Sequence, residues 1–204
     1  MRRFLNKPIW IITLILLIDQ ISKYLVKTTM FIGQEIPFWG QWGRLHFIEN
    51  NGMAFGMEFA GETGKIILTL FRLAAVIGLI IYLRHIAHKS KTPDTLYIVF
   101  LSIICAGALG NIIDSMFYGV LFSESTPYEI AAFLPEAGGY AGLMHGKVVD
   151  MFYFPFIRGF WPEWIPFVGG KYIEFFRPIF NVADSMITIG VLGLILFQRR
   201  FFSK

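Results

Sequence analysis

The chain has 204 residues, of which 55% are hydrophobic, 17% aromatic and 16% charged, with a net charge of +4 and a mean hydropathy of +0.60. Average chains carry roughly 25% charged residues, so a soluble fold of this size would lack the polar surface to cover itself. This excludes an ordinary cytosolic globule, a disordered chain and a nucleic-acid module; the single cysteine excludes an internal disulfide framework and any multi-cysteine metal site. A membrane-crossing helix needs about 20 mostly apolar residues, and four windows qualify, at about 8–27, 66–83, 95–118 and 179–197. The first follows Arg2 and Arg3, as a secretory signal would, but no small-residue cleavage site comes after it, and it reads as a retained helix with Pro8 in its first turn. In the third, Cys105 reads as a small buried hydrophobe. Pro178 suits a fourth helix that begins just beyond it.

Lysine and arginine in the flanks set the orientation. The N-terminus, the link between spans two and three, and the tail hold nine of the 18 basic residues against one acid, Asp94, for a charge of +8; the remainder, with nine basic and 13 acidic residues, carries −4. Both termini and the middle link are therefore predicted on the cytoplasmic side. Segments 28–65 and 119–178 fall on the outer side and are rich in aromatic residues, glycine and proline. Residues 34–59 mix aromatic and polar positions with turn signals, which predicts short strands. Trp161, Trp164 and their aromatic neighbours suit the headgroup region, and the two segments are expected to roof something at the membrane surface.

Ionisable groups within spans are costly and are functional candidates by default. Asp19 and Lys23 are four apart and share a helix face, where they can pair. Arg72 lies about 9 Å inside the outer end of the second span at 1.5 Å per residue and calls for a carboxylate partner. Asn111 and Asp114 share a face of the third span, and Asn181 and Asp184 repeat that spacing at the start of the fourth. Gly107, Ala108 and Gly110 permit close helix approach. Asp150 sits in an apolar, strand-like run, Val148-Val149-Asp150-Met151-Phe152. The four histidines form no metal-binding pattern, and neither a Gly-rich phosphate loop nor a Gly-x-Ser-x-Gly motif occurs.

Five stretches, in order, resemble the lipoprotein signal peptidase family, the type II (prolipoprotein) signal peptidases of bacterial inner membranes. They are Asp19-Gln20-Ile21-Ser22-Lys23, Glu49-Asn50-Asn51-Gly52-Met53-Ala54-Phe55-Gly56, Gly107-Ala108-Leu109-Gly110-Asn111-Ile112-Ile113-Asp114, the Asp150 run, and Phe180-Asn181-Val182-Ala183-Asp184-Ser185. The resemblance implies a mainly α membrane protein, one integral-membrane domain over 1–204, with four transmembrane helices, a small outer β-cradle at 34–59 and aromatic outer surface segments. It implies an intramembrane aspartyl endopeptidase that cleaves diacylglyceryl-modified prolipoproteins before the lipidated cysteine, near the outer, periplasmic face. Asp150 and Asp184 would be catalytic, without cofactor or metal. Asp19, Lys23, Asn51, Gly52, Phe55, Arg72, Asn111, Asp114 and Asn181 would support the site or bind substrate, and membrane lipid and globomycin-type cyclic peptides would be further partners. Nucleic acid is not expected.

Two departures stand out. The family commonly has arginine directly after the Gly-Asn-x-x-Asp motif, where this chain has Ser115; Arg72 is expected to take its place. Segments 119–149 and 156–177 are longer than in compact members. A transporter or proton pathway is the main alternative, because intramembrane acids and bases also mark ion routes; it is weakened by the small number of spans and the lack of an inverted repeat. A scaffold whose aromatic segments bind a partner is a third reading, and it would tolerate loss of either aspartate.

Overall fold

The fold was analysed in a computed structural model that describes residues 2–40, 42–51, 61–89 and 94–202. Among the described residues, three helices are long and apolar enough to cross a membrane. The candidate spans are Pro8–Thr29 within α1 (Arg2–Thr29), Thr63–Ile86 within α2 (Gly61–Lys89), and Thr95–Leu121. The last comprises α3 (Thr95–Ile113), a π-helical turn over Asp114–Tyr118 and a short α4 (Gly119–Leu121). Asp94 starts α3 by accepting hydrogen bonds from the Leu96 and Tyr97 amides at 2.9 and 3.2 Å, a normal use of aspartate at a helix N-cap. The Arg200 guanidinium reaches the same carboxylate at 2.8 Å, so the start of α3 and Arg200 meet at one end of the bundle.

The fourth predicted helix is corrected. The window 179–197 is not helical throughout: Ile179–Phe180 form strand β6, and α5 runs over Val182–Leu196, 15 residues, followed by α6 (Gln198–Phe202). The apolar run hides the boundary. Asn181 sets it, with extended backbone and a side chain that accepts from the Asp184 amide, while the Asp184 side chain accepts from the Asn181 amide. This reciprocal capping stops the helix from starting earlier.

Helix α3 is central. It packs against α1, α2 and α5, whereas Ile9, Trp10, Leu14 and Leu17 of α1 and Ile67, Phe71 and Ile81 of α2 stay exposed, as a lipid-facing surface requires. Gly107 and Gly110 allow the approach. A Cβ on Gly107 would collide with the Ala183 carbonyl of α5, and one on Gly110 would stand 2.5 Å from Asp19 Oδ2 of α1.

A four-stranded antiparallel sheet covers one end of the bundle in the order β1 (Glu35–Trp39), β2 (Gly43–Asn50), β3 (Val148–Tyr153), β6. Strands β1 and β2 fall within the window 34–59 where short strands were predicted; residues 41 and 52–59 of that window lie outside the described residues. Side chains alternate along β3 with period two. Val149 and Met151 enter a core with Phe47, Val26, Met30, Tyr118 and Phe122, which leaves Asp150 on the other face. A separate ribbon pairs β4 (Ile157–Phe160) with β5 (Tyr172–Phe175). The long segment before β3 folds over the end of α4: the amides of Ala141, Met144 and Gly146 donate to the carbonyls of Gly119, Met116 and Ser115 at 2.9–3.0 Å. Those carbonyls belong to the last helical turns, which otherwise lack partners.

Candidate active site

The site lies where α1, α3, β3 and α5 converge. Asp19 and Lys23, predicted to pair, do so at 2.9 Å, and Lys23 is equally close to Asp114, with all three side chains buried. The third acceptor for the ammonium is Asn111 Oδ1, also at 2.9 Å. Lysine has three hydrogens and no acceptor, so these three oxygens use it fully. Asp19 also accepts from the Ala183 amide at 2.9 Å and so caps α5 from another helix. Asp114 Oδ2 accepts from the Val149 amide at 3.3 Å, which registers β3 against α3. Gln20, unassigned by sequence reasoning, donates to Asp114 Oδ1 at 2.9 Å and accepts from the Tyr118 hydroxyl at 3.2 Å.

This cluster dictates which way two amides point. Because Lys23 can bind only the oxygen of Asn111, the Asn111 amino group turns away, and it meets Asp184 Oδ1 at 2.7 Å. Asn181 Oδ1 is occupied by the Asp184 amide at 2.9 Å, so its amino group faces Asp150 Oδ1, also at 2.7 Å. The two asparagines touch each other at 3.2 Å. Asp150 and Asp184, 34 positions apart, are thus gathered into one hydrogen-bonded chain. The Asp150 carboxyl is pushed up to about 7, first by burial and then by the negative charge of Asp184.

Arg72 on α2 is half-buried, and the charge of Asp184 acts on it. Ser115, at the position where an arginine was expected, is buried and bonds the Asn111 carbonyl at 3.0 Å. Asn51 accepts from Lys65 of α2 at 3.3 Å, and Lys65 also holds the His145 carbonyl at 2.8 Å. Gly52 and Phe55 lie outside the described residues. Cys105 is fully buried, as expected of a small core residue.

Further polar groups escaped the sequence reading. Asn50 reaches Asp150 Oδ2 at 3.3 Å. Lys27, read only as the basic end of a span, is buried against Glu49 of β2 and Ser125, and it and Lys147 lie 5.0 and 5.3 Å from the centre of the Tyr140 ring. Glu49 and Asn50 were quoted within a motif, and their paired-strand register with Val149 and Val148 is what gives them work. Lys65 carried no signal beyond being a cation near the start of a span.

Comparison with known proteins gives the class first. The fold is similar to a solved structure described as a bacterial membrane enzyme obtained by the in meso method at 2.3 Å, with a TM-score of 0.61 and 26% identity, covering 98% of this chain and 92% of that one. A second bacterial membrane enzyme, at 1.9 Å, is similar with a TM-score of 0.59, again at 26% identity, over 94% and 91% of the two chains. The family model described as signal peptidase (SPase) II matches residues 11–200, and the chain belongs to that family. Relatives named lipoprotein signal peptidase include one from Porphyromonas gingivalis, 47% identical over 91% of this chain and 80% of its own length. Another, from Amoebophilus asiaticus, is 33% identical over 96% and 80%.

Proposed function

We propose that the protein is an intramembrane aspartyl endopeptidase that removes the signal peptide from diacylglyceryl-modified prolipoproteins, cutting before the lipidated cysteine. The observation that carries this reading is the pair Asp150 and Asp184, each held at 2.7 Å by an asparagine amino group in one continuous network, in a chain of the signal peptidase II family. Nothing in the geometry favours a transporter, and the family match argues against one. The whole chain acts as one integral-membrane domain in the bacterial inner membrane, with both termini cytoplasmic and the site near the periplasmic face. The basic flanks support that orientation. Val182 to Phe202 would span about 30 Å if helical throughout, which supports α5 and α6 together as the fourth crossing.

Two neighbouring carboxyl groups cannot both ionise cheaply and titrate as a pair. In this reading Asp150 holds the proton and Asp184 acts as base. Asp184 takes a proton from water as the oxygen attacks the scissile carbonyl, Asp150 donates a hydrogen bond to the carbonyl oxygen, and a proton then passes to the leaving amine. No covalent enzyme intermediate forms. Asn111 and Asn181 fix the carboxylates, and the acyl chains of the substrate stay in lipid.

The test is cleavage of a lipidated signal peptide by the purified protein, with and without a globomycin-type peptide, over a range of pH. Cleavage blocked by the inhibitor is expected; solute or proton flux without cleavage would favour the transporter. The neutral form of Asp150 prevails below its value of about 7 and is lost above it. The rate should therefore decline roughly tenfold per pH unit on the alkaline side, and a rate that climbs through neutrality to an alkaline plateau would reverse the two roles.

Arg72→Leu removes the cation that acts on Asp184. A drop of about tenfold in kcat/KM, equivalent to about 1.4 kcal/mol, is expected without loss of folding. Full activity and stability in this variant would show that Arg72 does not replace the family arginine.

A further inference from the structure

The peptidase reading gives residues 156–177 nothing to do, yet they form a built feature. The β4–β5 ribbon shares no strand with the four-stranded sheet, and side chains fix its base. Arg158 lies 3.2 Å from Glu35 of β1 and 3.0 Å from Glu174 of β5. Its guanidinium stands 4.9 Å from the centre of the Tyr153 ring of β3, and the Tyr153 hydroxyl bonds Glu174. Arg44 adds a second cation on Glu35 at 2.9 Å. Beyond this clamp three large rings are open, with Phe160 72% exposed, Trp164 80% and Phe167 96%, beside exposed Glu163 and Lys171. The turn that presents them is ordered by its own backbone, with Gly170 donating to the Trp161 carbonyl and Gly169 to that of Ile165, both at 2.9 Å.

We propose that this tip is a membrane anchor, with the rings of Phe160, Trp164 and Phe167 seated at the headgroup–acyl boundary of the bilayer that the helices cross. The proposal rests on reading the bundle as membrane-spanning. Three observations favour lipid as the occupant. Glu35 is six residues beyond the candidate span Pro8–Thr29, so the clamped base lies within about 20 Å of the helix end. The strands and turn then extend about 13 Å or more, enough to return to that level. Tryptophan suits this boundary, and Arg177, 70% exposed on its side chain, stands at the foot of the ribbon where lipid phosphates would be. The foot of the ribbon is also continuous with a lipid-facing helix, because three residues separate β5 from β6, which leads into α5 through Asn181, and Ile189, Leu192 and Leu196 of α5 are exposed. A tip turned to water would leave three large rings hydrated beside an apolar medium.

Depth measurement tests this. With Cys105→Ala removing the only thiol, Phe167→Cys is spin-labelled in nanodiscs of phosphatidylethanolamine and phosphatidylglycerol. Exposed Ile81→Cys on α2 and exposed Glu136→Cys before β3 serve as lipid and water references. The Phe167→Cys label should lose its collisions with a nickel chelate and retain those with oxygen, as the Ile81→Cys label does, with no substrate present. Water-like collisions would overturn the anchor. So would shielding that appears only when a lipidated signal peptide is added, because the tip would then be a substrate wall. Trp164→Cys gives the same reading should Phe167→Cys fail to fold. Cleavage is recorded for each labelled protein: an active enzyme with a hydrated tip overturns the anchor alone, and a lipid-buried tip on an inert protein supports the anchor while counting against the peptidase reading.

Discussion

Asp150→Asn and Asp184→Asn should each lower cleavage of a lipidated signal peptide by at least about a thousandfold, the scale on which a lost general acid or base acts, while the protein stays folded and inserted. The hydrogen bonds explain why the two effects separate. Asp184 accepts from Asn111 at 2.7 Å through one oxygen and from the Asn181 amide at 3.3 Å through the other. An asparagine can keep the short bond and loses the long one. Asp150 is placed alike, with Asn181 at 2.7 Å and Asn50 at 3.3 Å. The cost of one weakened hydrogen bond is about 1 kcal/mol, against about 4 kcal/mol of lost transition-state stabilisation. The double variant should be no slower than either single one, because the carboxyl groups act as a unit. The measurement is single-turnover cleavage together with a thermal unfolding curve on each purified variant. Normal maturation by either would remove that aspartate from the chemistry, and inactivity accompanied by unfolding would make it structural.

What the sequence could and could not reveal divides by distance along the chain. Asp19 and Lys23, Asn111 and Asp114, and Asn181 and Asp184 are close neighbours on helices, so their shared faces follow from helical spacing alone. Arg72 could be singled out by its depth, since a lone cation in hydrocarbon needs an anion. The bonds that assemble the site are of another kind. Ala183 donates to Asp19 across 164 positions, and Asn50 to Asp150 across 100; neither is encoded in local spacing. Asp150 was legible through the family motif rather than through its surroundings, because an acid in an apolar strand is equally compatible with an exposed edge. The start of α5 was missed because Ile179 and Phe180 are as apolar as the helix after them. Their pairing with Tyr153 and Phe152 of β3 is a tertiary fact. The clamp of Arg158 on Glu35 spans 123 positions and had no signal at all.

Lys23→Met should prove the most damaging single change outside the dyad, and for two separable reasons. Methionine approximates the length of the lysine stem and removes its charge. Asp19 and Asp114, both fully buried, would then lose the ammonium that lies 2.9 Å from each. Removing one member of a buried charge cluster costs about 3–5 kcal/mol, a large share of the roughly 5–15 kcal/mol that holds a domain together. On that scale the unfolding midpoint should fall by about 10 °C. The second reason concerns direction. Without the ammonium at its oxygen, Asn111 is held that way round only by the 3.2 Å bond from the Asn181 amino group, and an amide that turns over presents Asp184 with an oxygen in place of an amino group. The triple variant Lys23→Met, Asp19→Asn, Asp114→Asn distinguishes the two. It removes the stranded charges, so much of the lost stability should return, as it does when whole buried ion clusters are replaced. Cleavage should stay low because nothing restores the orientation of Asn111. If the triple variant regains cleavage along with stability, Lys23 serves only to neutralise its neighbours, and the chain of control from Lys23 through Asn111 to Asp184 does not operate.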